Sequence, residues 1–571
     1  LGTQALDVAV AALAAGCILA VKGLGGYHLA VDAASTRAVA ELRRRKQRDD
    51  KPFAVMVADA DRAGCLVELD DAAVAALTSP RRPIVLAPRR QGAPVAPGVA
   101  PGLPELGVML AYTPLHHLLA RGVGRPLVLT SGNLSDEPIA YTDDDAEQRL
   151  GPIADAVLAH DRPIHMRCDD SVVRAGTAPP QVLRRSRGYA PEPIALPFDP
   201  AVAVLAVGAQ LKSTIAVTKG RAVIASHHIG DLEHLAAYRA FLQAVAHLPG
   251  LSGVEPEVVA HDLHPEYLSS KFAVDLDVPT VGVQHHHAHV VSCLVDHGRD
   301  ERVLGIAYDG HGYGTDGTLW GGELLIADRT SFVRAGHLAT VPLLGGSAAV
   351  REPWRMAAAW LGHAIGADAA AARVAPLDRR AATLLRLAGG TFAGATAGGT
   401  VAGPTVAGRT ATSSMGRLFD AAAALVVGRA RASYEGQAAI ELEALARRAP
   451  PGVAAAVPWE HRWEEGTLVL DPAPVLRALV GMERGPLAAA MFHASVAGAS
   501  ARAATVLASV HGVQTVVLTG GVFQNALLSA ALSAALADAG LEVLVHRRVP
   551  PNDGGISIGQ AAVAASAGRP A

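Results

Sequence analysis

The run Gln284-His-His-His-Ala-His289 places two imidazoles four residues apart. On a helix, His285 and His289 project from one face and can chelate a single metal ion, while His286 and His287 point elsewhere. The alternatives are an exposed His-rich turn, or one core histidine with solvated neighbours; the fourfold spacing is what a metal needs and favours the first reading. Two histidines do not complete a coordination shell, so carboxylates must come from elsewhere. Asp309, in Asp309-Gly-His-Gly-Tyr-Gly-Thr-Asp-Gly317, and Asp553, in Pro551-Asn-Asp-Gly-Gly555, stand in glycine-rich segments and can supply them. Gly310 and the turn Thr519-Gly520-Gly521-Val-Phe-Gln-Asn525, which follows a strand at Thr515–Leu518, offer backbone amides to phosphates. Singly, each turn is ordinary, because Asp-Gly and Gly-Gly are common turn dipeptides.

A second constellation lies nearer the N-terminus. Lys22-Gly-Leu-Gly-Gly-Tyr-His28 follows a strand, and Arg43-Arg-Arg-Lys46-Gln-Arg48-Asp-Asp-Lys51-Pro52 ends a helical stretch. Thr130-Ser131-Gly-Asn133, Cys168-Asp-Asp-Ser171-Val-Val173 and Val182-Leu-Arg184-Arg185 add short polar side chains and two guanidinium groups. Together these offer an anion site of fixed cations and backbone donors. Any one piece is equally a solvated helix face or a plain turn; their joint occurrence favours the anion. Lysine usage sharpens this, since the chain has 50 basic residues and only Lys22, Lys46, Lys51, Lys212, Lys219 and Lys271 are lysines.

The elements that must position these groups read as an α/β chain. At 571 residues, half of them hydrophobic, it has room for three or four domain-sized units. Short strands at Ile84–Ala87 and Leu127–Thr130 alternate with helical patches, and Tyr189–Pro200 is Pro-rich and reads as an extended linker. Beyond it, a strand at Val202–Val207 and a hairpin around Lys219-Gly220 are echoed at Val303–Tyr308 and Leu319–Ala327, which predicts a duplicated fold. An Ala/Gly/Thr tract at 388–411 is either a mobile loop or small-residue packing. A formal charge of −3 argues against a general nucleic-acid coat, and four separated cysteines point to a reducing cytoplasm. The apolar run Val8–Val21 is too short to span a bilayer and reads as helix, then buried strand.

The N-terminal motifs resemble the YrdC/Sua5 family, which makes carbamoyl- or threonylcarbamoyl-adenylates from ATP. The resemblance covers about residues 1–188 and implies that Lys46, Arg48, Lys51, Ser131, Asn133, Ser171 and Arg184 line an ATP and acyl-phosphate pocket. Lys22 belongs to the same nucleotide group; Arg185 and His28 join the catalytic one. From 201 to 571 the ordered motifs resemble Kae1/TsaD-like domains of the actin–Hsp70–sugar-kinase superfamily, with two halves, the second starting near 302. That resemblance implies an iron-type (Fe²⁺) site of His285, His289, Asp309 and Asp553. It also implies a nucleotide near Gly310, Asp420, Gly436, Glu441, Gly520, Gly521 and Asn525. Thr412-Ser-Ser-Met-Gly-Arg-Leu-Phe-Asp420 and Ser433-Tyr-Glu-Gly-Gln437 fit the carbamoyltransferase branch.

YrdC-like followed by Kae1-like is similar to the core of the HypF carbamoyltransferases of hydrogenase maturation. HypF also carries an acylphosphatase domain and paired zinc fingers; this chain begins at Leu1 and has no C-x-x-C. On that departure it is expected to lie nearer the TobZ-type antibiotic O-carbamoyltransferases. The expected reaction uses carbamoyl phosphate and ATP with Mg²⁺. Carbamoyl phosphate is held by Lys46, Arg48, Lys51 and Arg185, and a carbamoyl-adenylate forms. The carbamoyl group then passes to a hydroxyl of an aminoglycoside such as tobramycin. The alternative is a HypF-like enzyme acting on a protein cysteine. No membrane or nucleic-acid partner is expected.

Overall fold

A computed structural model describes all residues except 1–2, 135–136, 178, 389–404, 407–408 and 568–571. Most of the Ala/Gly/Thr tract at 388–411 therefore lies outside the described residues.

Strands Leu19–Lys22 and Tyr27–Asp32 turn back on each other through the Gly23–Gly26 segment, with Lys22 opposite Tyr27. Gly26 has no space for a side chain, since a Cβ there would meet Ile139 at 2.5 Å. The pair lies in a nine-stranded mixed sheet that also takes in Leu127–Ser131, Ala54–Val57, Glu105–Leu110, Ile84–Pro88, Val172–Arg174 and Gln181–Arg184. The helix Thr36–Lys46 packs on this sheet through Ala38, Val39 and Leu42. It closes on Gln47, in the left-handed region at φ 53°, which turns the chain into the Arg48–Lys51 loop.

The rest of the chain forms two lobes with one strand plan. In the first lobe, Ala222–Ala225, Ala216–Lys219 and Val204–Ala206 are antiparallel neighbours, followed by parallel Val258–Asp262 and Thr280–Val283. In the second, Phe332–Leu338, Leu319–Ala327 and Val303–Tyr313 repeat the antiparallel trio, followed by parallel Thr515–Thr519 and Glu542–Val545. This is the duplication that the repeated hairpins predict.

Two expectations change. The Pro-rich segment is extended but not a free linker: Ile194–Ala195 pairs with Ala222–Val223, and Ile194, Leu196 and Phe198 are buried. Its apolar residues alternate with prolines at a sheet edge, where the missing N–H groups cost nothing. The strand from Val303 does not stop at Tyr308 but runs to Tyr313, with a bulge between Tyr308 and Gly312. The bulge lets a strand carry Asp309 while re-aiming its side chain.

The first lobe's core is completed by the last helix of the chain, Ile556–Ala567, which packs on the helix His285–His297. The crossing is so close that a Cβ on Gly559 would lie 1.9 Å from the Ala288 carbonyl oxygen. Small residues at that crossing bring Asp553, just before the last helix, up to the histidines. No helix among the described residues is long and apolar enough to cross a membrane.

Candidate active site

The helix His285–His297 starts at Gln284, whose side-chain oxygen accepts from the His287 N–H at 2.9 Å. It ends at Gly298, in the left-handed region at φ 63°. All four histidines of the run are buried. His287 is spent on the Asp328 carbonyl at 2.7 Å, and His286 lies beside Trp320 and Gln284. His285 and His289 turn inward together. Each places Nε2 beside one oxygen of Asp309, at 3.2 and 3.1 Å, and Asp553 Oδ1 lies 3.9 Å from His289 Nε2.

These four residues offer ligand atoms that all lie within 4.8 Å of one another. His285 Nδ1 contacts buried Asp262 at 2.7 Å, so its proton sits there and Nε2 presents a lone pair. With His285 neutral, that lone pair and the Asp309 oxygen would be bridged by a cation; as the imidazolium, His285 donates to Asp309 instead. Burial depresses the His285 imidazolium, but the Asp262 carboxylate outweighs it and raises His285 well above the ordinary range. Burial likewise opposes the charge on Asp309, yet the hydrogen bonds with both histidines hold it well below. Burial and the neighbouring Asp309 push Asp553 up to about 7. Two carboxylates and two neutral imidazoles carry two negative charges, which a divalent ion would balance; the donor set fits one without choosing among iron, zinc and manganese.

The glycine-rich turns meet this centre, and their amides are spent on protein oxygens, Gly520 N–H on the Pro551 carbonyl at 2.9 Å. Asp309 Oδ1 accepts from the Gly310 amide at 2.7 Å and the Gly521 amide at 3.3 Å. Gly520 has φ 94°, and a Cβ there would strike the Tyr308 carbonyl at 2.2 Å. Asn525 caps the following helix through Leu528 N–H and donates to His493 Nε2 at 2.9 Å. Asp420 is buried with Oδ2 2.8 Å from Arg417 Nη2, an ion pair without hydrogen-bond geometry, and burial raises its carboxyl to about 6. Gly436 begins the helix Gln437–Ala446, where Glu441 takes both Arg429 and Gln437.

In the N-terminal domain the predicted cations divide. Lys46 is buried and donates to the carbonyls of Ser131 and Asn133 and to Asn133 Oδ1, so it fixes that turn. Ser131 also donates to Asn133. Lys22 pairs with Asp143 at 2.6 Å and the His160 carbonyl. Arg48 donates to the Lys51 and Pro52 carbonyls. Ser171 is turned to the Arg187 backbone, and His28 packs against Asp170 and Tyr112, each at 3.4 Å. Arg185, expected beside Lys51, instead donates to the Glu192 and Ala225 carbonyls at the domain seam. Its neighbour Arg184 lies with Lys51: both charges act on Asp169, whose carboxyl burial raises, and both depress His228 alongside burial.

His228 belongs to the first lobe, so Lys51 and Arg184 look across the seam. On the far side Lys212 is paired with Glu435. The Glu435 side chain is 54% exposed and the Lys212 side chain 26%, yet desolvation is the largest influence on both. Lys51, Arg184, Asp169, His228, Lys212 and Glu435 thus lie within electrostatic reach of one another along the seam, and Lys212 also feels Asp309 and Asp553. The sequence reading missed Asp262, Asp169, Lys212 and Glu435. Lysine scarcity could have found Lys212; nothing local distinguishes the other three.

Models of three families match in chain order: "Telomere recombination" (Sua5/YciO/YrdC) over residues 11–186, the HypF Kae1-like domain over 199–296, and the second subdomain of the carbamoyltransferase Kae1-like domain over 305–560. The chain is 43% identical over 601 residues to "Carbamoyltransferase HypF2" of Cupriavidus necator, covering 97% of this chain and 72% of that protein. The chain belongs to the HypF carbamoyltransferase family. The Rhodobacter capsulatus HypF is 44% identical, with 99% of this chain and 73% of that protein covered. The crystal structure of full-length HypF in its phosphate- and nucleotide-bound form superposes with a TM-score of 0.90 at 40% identity, over 98% of this chain and 72% of that one. The expectation of a closer kinship to TobZ-type O-carbamoyltransferases is not supported, because these relatives are named HypF. That expectation leaned on the modules lying outside this sequence, whereas the comparison rests on the residues present.

Proposed function

We propose that the chain carbamoylates a protein cysteine, using carbamoyl phosphate and ATP with Mg²⁺. The observation that carries this is the HypF relationship along nearly the whole chain, joined to a seam where the Lys51 and Arg184 charges of one domain reach His228 of the first lobe. In our reading water cleaves carbamoyl phosphate in the N-terminal domain to carbamate and inorganic phosphate. The carbamate oxygen attacks the α-phosphate of ATP, pyrophosphate leaves, and a carbamoyl-adenylate forms. Lys51 and Arg184 neutralise charge building on the phosphates, with Arg48 alongside. Lys46 keeps the Ser131–Asn133 turn in register.

The adenylate then crosses the domain seam to the second site, and keeping both sites in one chain limits its hydrolysis. A thiolate attacks its carbonyl, the carbonyl–phosphate bond breaks, and AMP departs. A divalent metal on His285, His289, Asp309 and Asp553 would supply Lewis acidity at this second site; iron is our reading from the family. Asp262 keeps His285 in the tautomer that presents Nε2. In this reading the backbone of Gly310, Gly520 and Gly521 and the carboxyl of Asp420 border the nucleotide, while the three amides stay on Asp309 and the Pro551 carbonyl. We place the reaction in the cytoplasm.

The test is carbamoyl-phosphate-dependent pyrophosphate release from ATP, followed by transfer to a peptide ending in cysteine. Labelled S-carbamoyl peptide supports the reading. Pyrophosphate release with transfer only to an aminoglycoside hydroxyl would overturn the acceptor, and ADP with phosphate in place of AMP would overturn the whole scheme.

A further inference from the structure

We infer, on the metal reading proposed above, that Asn552 and Arg174 are positioning residues through which the N-terminal domain sets the carboxylates of the second site. Metal affinity at His285, His289, Asp309 and Asp553 then depends on a hydrogen-bonded path rooted in another domain.

The path starts at a bulge. Where Val172–Arg174 pairs with Gln181–Arg184, Val172 stands opposite Arg184 and Val173 opposite Val182, which leaves Leu183 without a partner. A bulge frees the extra residue from the ladder, and the Leu183 carbonyl accepts from Asn552 Nδ2 at 3.0 Å. The neighbouring Val182 N–H donates to the Arg547 carbonyl at 3.1 Å. The edge strand of the N-terminal sheet thus grips the segment 547–552 that leads to Asp553. From its other side the same segment is held by Asp296 of the helix His285–His297, which accepts from the N–H groups of Arg547, Arg548 and Val549.

Asn552 is buried, and its side chain is fully used. Nδ2 makes a second bond to Gln524 Oε1 at 2.9 Å, and Oδ1 accepts from the Gly554 N–H at 3.0 Å. Gln524 in turn donates from Nε2 to the Gly521 carbonyl at 3.0 Å, and the Gly521 N–H reaches Asp309 Oδ1 at 3.3 Å. One asparagine therefore serves both carboxylates: Asp553 follows it in the chain, and Asp309 is reached through Gln524 and Gly521.

The N-terminal domain touches Gln524 a second time. Arg174 Nη1 donates to its backbone carbonyl, while Arg174 Nη2 pairs with Glu105 at 3.1 Å. Glu105 also faces Arg447 at 4.0 Å, and Arg447 holds Glu443, which accepts from the Ala526 N–H just beyond Gln524. Carboxylate oxygens already placed by such outer partners lose less freedom when a cation binds, and this is how partners that never touch a metal tune its affinity. Arg174 contacts none of the four ligands, so cutting the path there removes only what the N-terminal domain supplies.

The test is titration of the full chain, stripped of metal by a chelator, with Co²⁺ alone, followed through the visible absorption bands of the bound ion. Asn552→Ala should weaken binding about tenfold, the lower end of the usual cost of a lost outer partner. Arg174→Ala should weaken it severalfold, and Arg174→Lys, which keeps a donor for the Gln524 carbonyl, should recover most of that loss. Because both residues act through Gln524, the double variant should lose less than the product of the two single effects. Asp50→Ala breaks a different contact of the same seam, the one to Gln437, and should bind Co²⁺ as the parent does. Melting curves show which variants fold; if Asn552→Ala does not, the two Arg174 variants decide alone. Parental affinity in Arg174→Ala overturns the inference and leaves the metal reading standing. Equal weakening in Asp50→Ala overturns it too, since the whole seam would then act as one clamp. A parent chain that binds no Co²⁺ removes the metal reading and the inference with it.

Discussion

The Asp50 carboxylate of the N-terminal domain accepts a hydrogen bond from Gln437 Nε2 of the second lobe at 2.8 Å, and Arg429 approaches the same oxygen at 3.7 Å. Because Asp50 precedes Lys51, one clasp fixes both the domain seam and the backbone next to Lys51. Asp50→Ala should leave most carbamoyl-phosphate-dependent pyrophosphate release but lower product formed per pyrophosphate severalfold, from loss of about 1–2 kcal/mol of docking. Coupled assay of both products decides it, and an unaltered ratio would show that the seam does not need this clasp.

Asp262→Asn should weaken divalent-metal affinity by about 10–100-fold, the usual cost of losing the group that orients a ligating histidine. His285→Ala should remove tight binding altogether. Titration calorimetry with Fe²⁺, Zn²⁺ and Mn²⁺ measures both. In His285→Ala, transfer should disappear while pyrophosphate release persists; loss of both activities would count against two separate sites.

Lys51→Ala should do the reverse. Loss of its charge beside Arg184 and Asp169 should slow pyrophosphate release by about tenfold or more. Normal release would remove Lys51 from the phosphate chemistry.

Glu323 governs acid stability near the second site. It is fully buried, accepts from Arg334 at 2.7 Å and from Ser413 at 2.5 Å, and neighbours Ser414, which donates to the Asp309 carbonyl. Burial opposes its charge, but Arg334 outweighs burial and holds the carboxyl at about 2 rather than 4.5. A depressed folded value means stability that is complete above pH ~4.5 and drains away as pH falls toward ~2, roughly 3 kcal/mol in all. Glu323→Gln should therefore melt lower at pH 7 and lose less between pH 5 and 3 than the parent. Parallel melting curves for the two proteins across that range would refute the assignment.

Gly559→Ala should destabilise by about 1–3 kcal/mol, because its methyl must push the last helix off Ala288. The same shift should weaken metal binding by moving Asp553, whereas Gly512→Ala, where a Cβ meets nothing within 4 Å, should spare the metal.

The sequence made much of this visible because the informative signals are local. The spacing of His285 and His289 needs only a helix, and the repeated hairpins need only alternation. Asp262 was invisible because its role depends on a parallel strand ending beside a helix 23 residues later. Lys46 and Arg185 look alike as cations in sequence. Only packing turns the first onto the Ser131–Asn133 turn and the second onto the Glu192 carbonyl, while the Arg184 charge reaches His228. The Pro-rich stretch misled for a related reason: its composition reports extension, and the partner strand that makes it an edge is defined by pairing alone.

The helix Ile556–Ala567 belongs to a lobe whose strands were made far earlier in the chain. A ribosome releases Val204 through His297 long before it releases Asp553, so the early lobe must wait, unfilled and without its last carboxylate, while the whole second lobe is synthesised. Translation order thus makes the helix Ile556–Ala567 a check on the early lobe: a nascent chain that stops before it keeps an open core that chaperones and proteases can recognise, and lacks Asp553 beside His289 and Asp309.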